Sequence, residues 1–167
     1  MPSPGIVSLA LQFRGTWLVR NSPARRVPSH GTHLFATTYA VDFVAVRRRR
    51  TAHTRDWRTA LGTEPNERFV GFGQPVLAPA AGTVVSVLDG VADHEARRSQ
   101  VSLTPYALTQ ADRIRGGPAA IAGNHVVLEL VDGGFVLLAH LRRGSVAVTP
   151  GMPVAEGPGE SEVVEPV

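Results

Sequence analysis

Glycine and proline cut this chain into short apolar runs at close intervals, and that punctuation constrains the fold more than any other feature. With Gly 17 and Pro 13 among 167 residues, no stretch sustains the helical period that a bundle needs. The runs read instead as strands. Asn124 to Val131 and Phe135 to Leu141 flank the turn Asp132-Gly133-Gly134, the most secure hairpin in the sequence. Pro75 to Gly90 reads as a short strand, a tight turn at Ala81-Gly82 and a second strand. Thr37 to Val46 reads as one β-branched and aromatic strand, and Val146 to Val154 as a further strand pair around Pro150-Gly151. Leu9, Leu11, Phe13, Trp17 and Val19 alternate as strand residues do. The expectation is an all-β domain of antiparallel hairpins.

Residues 1–28 form an extended lead-in, 29–157 the main domain, and 158–167 an acidic tail. Two polar insertions interrupt the domain, at about 47–68 and 92–120, the second with a short helix. Hydrophobic residues at 43% and charged residues at 19% exclude disorder by composition. No apolar run is long enough to span a bilayer. Ile6 to Phe13 is brief and has no basic residue before it, so no secretory signal is expected. Cysteine is absent, which removes disulfides and thiolate metal sites. All 17 basic residues are arginine, and a net charge of +3 is too small to argue for nucleic acid. The run Arg47 to Arg50 reads as a solvated loop in preference to an anionic-polymer site.

Chemistry can reside in few places. Asp42 lies in an apolar run, and a buried carboxylate needs a partner. A metal ion or an imidazolium would serve, as would a loop cap or an arginine. His30 and His33 stand upstream in Ser29-His-Gly-Thr-His33. His140, in Leu137-Leu-Ala-His-Leu141, shares a face with Leu138 if the strand is regular. It is then either a hydrogen-bonded core histidine or an acid/base held on a rigid sheet.

Taken in order, several blocks resemble the lysostaphin-like (M23) family of zinc metallopeptidases. Tyr39-Ala-Val-Asp-Phe43 with a histidine upstream is similar to that family's first motif. Gly73-Gln-Pro-Val-Leu-Ala-Pro-Ala-Ala-Gly-Thr-Val84 is similar to the hairpin before the site. Gly123-Asn-His-Val-Val-Leu-Glu129, Leu138-Ala-His-Leu141, Gly144-Ser-Val146 and Pro150-Gly-Met-Pro-Val-Ala-Glu-Gly157 are similar to the second half of the domain. The resemblance implies a lysostaphin-like (duplicated hybrid motif) sheet and one zinc ion. It makes Asp42 a ligand together with His30, with His33 as second choice, and His140 the catalytic imidazole. The implied activity is metal-assisted hydrolysis of peptide bonds in bacterial cell-wall peptidoglycan, by enzymes that often work outside the cell or in its envelope.

The family's last motif, His-x-His, supplies a third ligand and a second catalytic histidine, and no histidine follows His140. The last strands are accordingly expected to be missing. A third ligand would then come from His125 or from the second of His30 and His33. The alternative function is a catalytically dead wall-binding or regulatory module of the same fold. A biotinyl or lipoyl carrier is excluded because the chain has no lysine. A sugar phosphotransfer domain could use His140 but offers no counterpart for Tyr39 to Phe43.

Overall fold

The computed structural model describes residues 7–34, 37–53, 65–93, 121–157 and 162–164. Among the described residues eight strands occur in chain order: β1 (Trp17–Val19), β2 (Phe43–Ala45), β3 (Val76–Leu77), β4 (Gly82–Leu88), β5 (Asn124–Leu130), β6 (Phe135–Leu141), β7 (Pro153–Val154) and β8 (Glu162–Val164). All their pairing is antiparallel. Helical residues among those described are limited to single 3-10 turns at Thr37–Tyr39 and Asn66–Arg68 and to residues 121–122. The chain is therefore β-rich and antiparallel, as its punctuation suggests. The helix expected within 92–120 falls almost wholly outside the described residues. Among the described residues no helix is long and apolar enough to cross a membrane.

The chain divides into two compact units. The first comprises Met1–Arg14, Gly73–Ala92 and Gly123–Val167, the second Gly15–Phe72 and Asp93–Ala122.

The first unit holds a four-stranded sheet in the order β6-β5-β4-β7 and a two-stranded pair β3-β8. β5 shows strict alternation: Asn124, Val126, Leu128 and Leu130 are buried, while His125, Val127 and Glu129 face the other way. Val84 of β4, Leu138 and Leu141 of β6, Val148 and Val154 complete the core with them. Gly82 passes so close to β5 that a Cβ there would strike the Glu129 carbonyl. Asn124, buried in this core, donates to the carbonyls of Val91 and Leu141 and accepts from the Val91 N–H, so its amide is satisfied.

Three expectations for this unit change. Residues 75–90 do contain two strands, but β3 pairs with β8 and not with β4, because both edges of β4 are taken by β5 and β7. Residues 146–154 do not pair with each other. A turn from Thr149 to Met152 leads into β7, which joins β4, and Val146 bridges to Val164. The segment read as an acidic tail carries β8, whose Val163 and Val164 are buried in the core.

The second unit has one short ladder, β1 on β2, with Trp17 opposite Ala45 and Val19 opposite Phe43. The pairing runs on past the strands: Arg20 N–H donates to the Asp42 carbonyl and Asp42 N–H to the Asn21 carbonyl. The expected strand over 37–46 shrinks to Phe43–Ala45. Its first half is diverted because Ser29 takes the carbonyls of Thr37, Thr38 and Ala40 from any ladder. Arg47 and Arg50 exchange backbone hydrogen bonds across a two-residue turn, with Arg48 and Arg49 at φ 50° and 65°. All four arginines are exposed, as a solvated loop requires.

Candidate functional site

The continuation of the β1–β2 ladder sets Asn21 beside Asp42. The Asn21 side-chain amide donates to Asp42 Oδ2 at 2.6 Å. The other carboxylate oxygen, Oδ1, faces His30 Nε2 at 3.0 Å. Asp42 is not the buried carboxylate that its apolar neighbours suggest: it sits just before β2, and its side chain is 44% exposed against 27% for His30. Gly31, at φ 77°, turns the chain immediately after His30. His33 consequently points elsewhere, its Nδ1 lying 3.2 Å from Thr38 Oγ1.

Ser29 fixes the state of His30. Its hydroxyl is buried and lies 2.7 Å from the Ala40 carbonyl, 3.0 Å from the Thr37 carbonyl and 2.9 Å from His30 Nδ1. A hydroxyl has one proton, and carbonyls only accept, so that proton is committed to the carbonyls. With that proton on a carbonyl, His30 Nδ1–H donates to Ser29 Oγ. In the neutral imidazole this leaves a lone pair on Nε2 aimed at a carboxylate oxygen. Two acceptors at 3.0 Å need a cation between them or a proton on one of them.

Both options are chemically open to this pair. A proton gives an imidazolium–carboxylate bridge. A metal ion gives the arrangement in which a ligating histidine donates its other N–H to an oriented acceptor, here Ser29, and a ligating carboxylate is held by a neighbouring donor, here Asn21. Nitrogen and oxygen donors each about 2.0–2.1 Å from a tetrahedral zinc lie roughly 3.3 Å apart, close to the separation observed. The donor set therefore fits the two-ligand part of a zinc site. Among the described residues no third His, Cys, Asp or Glu joins it.

The remaining histidines occupy other stretches of the sequence. His53 is exposed, and His94 falls outside the described residues. His125, on β5 of the first unit, donates from Nδ1 to the Gly123 carbonyl at 2.7 Å. His140, on β6, does not share the buried face of Leu138 as a regular strand would require. Asn124 pairs with Leu141 and Val126 with Leu138, so Ala139 and His140 together oppose His125 in a β-bulge. His140 takes φ 61° there and is exposed, while Leu138 and Leu141 stay buried on either side. A non-glycine residue in the left-handed region costs of order 1 kcal/mol and clusters at functional positions.

Asn21 and Ser29 are the supports that sequence reading missed. Ser29 adjoins His30, and a hydroxyl beside a candidate ligand is a usable signal. Asn21 carries none, since only the ladder brings it to Asp42, 21 residues away. Comparison with protein families, curated proteins and solved structures finds no match to this chain.

Proposed function

We propose that this chain is a lysostaphin-like zinc endopeptidase domain that acts on peptide bonds of bacterial peptidoglycan. The observation that carries the reading is the His30–Asp42 pair, with two acceptor atoms turned toward each other and each ligand braced from behind by Ser29 or Asn21. The motif resemblance supplies the substrate class and gives His140 the role of catalytic imidazole.

In this reading His30 and Asp42 hold the metal. Ser29 keeps His30 in the tautomer that ligates through Nε2, and Asn21 keeps Asp42 from rotating away. When bound, the ion supplies Lewis-acid polarisation of the scissile carbonyl. The resemblance gives His140, exposed at its bulge in β6, the role of exchanging a proton with substrate or leaving amine.

A second reading has an observation of its own. Two protein donors are fewer than the three of a catalytic zinc site, and no third accompanies them among the described residues. This favours a module that binds the wall without cutting it, its His30–Asp42 pair closed by a proton.

Titration of the purified chain with zinc against a chelating dye tests the first reading. Asp42→Asn and His30→Ala should each weaken zinc binding by at least about 10–100-fold, while His33→Ala should leave it unchanged. If Asp42→Asn binds zinc as the parent does, the metal assignment is wrong. Incubation with purified peptidoglycan then separates the two functions: the enzyme releases new amino groups, whereas the module sediments with the wall and releases none.

A further inference from the structure

Beside the His30–Asp42 pair lies a cavity of about 260 Å³ lined by Asn21, Ser22, Arg25, Arg26 and Ser29. We propose that it is an anion subsite which receives a carboxylate of the substrate next to the bond that is cut. The proposal takes its substrate, a peptide, from the function proposed above; the charge of the cavity is independent of that reading.

The two supports of the metal pair also line this cavity. Asn21 touches Asp42 and Ser29 touches His30, so a group seated here lies one hydrogen-bonded side chain away from the pair. The lining contains two guanidinium groups and no acidic residue. Both arginines come from one tight turn, in which the Ser22 carbonyl accepts the N–H groups of Arg25 and Arg26 and the Ser22 hydroxyl accepts that of Ala24. Among the described residues Arg26 donates only from its Nε–H, to the Ser29 carbonyl at 3.2 Å. The Arg25 guanidinium has no hydrogen-bond or ion-pair partner among the described residues. A planar fork with unspent donors matches a carboxylate geometrically.

Size limits what enters. At about 30 Å³ per water, the cavity holds roughly nine waters' worth of volume. That accommodates a carboxylate with the short residue behind it. The carboxylate is either the free C-terminus of the substrate peptide or an acidic side chain adjoining the scissile bond, and the two sources are separable.

The experiment uses calorimetry on the full chain, with and without zinc. The ligands are N-acetyl-alanyl-alanine, its C-terminal amide, and N-acetyl-glutamyl-alanine amide. The acid is expected to bind at least about tenfold more tightly than its amide, as a charge-assisted arginine–carboxylate contact implies. If the glutamyl amide recovers that affinity, the subsite accepts an acidic side chain; if it does not, the subsite reads a C-terminus. Arg25→Gln, which disturbs no hydrogen bond of the turn, should remove most of the preference and leave zinc affinity intact. Arg26→Gln should remove the remainder. Equal binding of acid and amide overturns the proposal, as does a preference that survives in the double variant. Failure to bind zinc strikes the functional reading alone, since the acid-over-amide preference is read equally in the metal-free chain.

Discussion

The two units of this chain are held by different forces. In the first, Val84, Val126, Leu128, Leu138 and Leu141 bury their side chains in one continuous apolar cluster. Among the described residues of the second, the buried side chains are small: Ala45, Ala52, Ala122 and Ser29. Leu18, Val19, Leu34 and Tyr39 remain exposed there. Its described residues include a three-residue ladder and polar contacts converging at Ser29 and Asp42. In the first unit most buried side chains form one shared apolar cluster. Among the described residues of the second, a few hydrogen bonds position the candidate functional groups.

That contrast can be broken at three sites. Leu128→Ala should have the largest effect on stability, about 2–5 kcal/mol, because truncating a fully buried leucine leaves a cavity; urea unfolding followed by circular dichroism measures it. Ser29→Ala should cost only about 1–3 kcal/mol, the price of carbonyls left without a donor. It should nevertheless lower zinc affinity by about 10–100-fold, since His30 loses the acceptor that sets its tautomer. Should Ser29→Ala destabilise as much as Leu128→Ala, the hydrogen bonds at Ser29 matter as much to stability as the apolar core. The smallest effect is expected at His140→Gly, a gain of up to about 1 kcal/mol from relief of the positive φ. Peptidoglycan hydrolysis should disappear in the same variant. A loss of stability there would mean that the contacts of the histidine ring outweigh its backbone strain.

What could be read in advance follows the same division. The hairpin of β5 and β6 was legible because its alternation and its Asp-Gly-Gly turn agree. β8 was not, because two valines among glutamates and proline disappear in an average over the segment. The partner of β3 was hidden too, since a sequence reveals a turn but not that both edges of β4 are occupied. In the second unit, Thr37 to Asp42 has strand-forming residues yet runs as turn and coil, because a serine far upstream claims its carbonyls. The candidate ligands were legible as residue types. Their selection was not: Gly31 separates His30 from His33, and that effect lies in a backbone angle.

The bulge in β6 also governs how this strand can change in length. Between the pairs Val126–Leu138 and Asn124–Leu141, β5 contributes one residue and β6 two. Loss of either Ala139 or His140 would close the ladder flush and leave Leu138 and Leu141 facing the core. Loss of any residue from Phe135 to Leu137 would instead throw the strand out of step with β5 or shorten the turn that feeds it. β6 thus has one point at which a single-codon deletion is structurally cheap. That point is where the histidine stands, so a lineage can discard or re-aim this imidazole and keep the sheet.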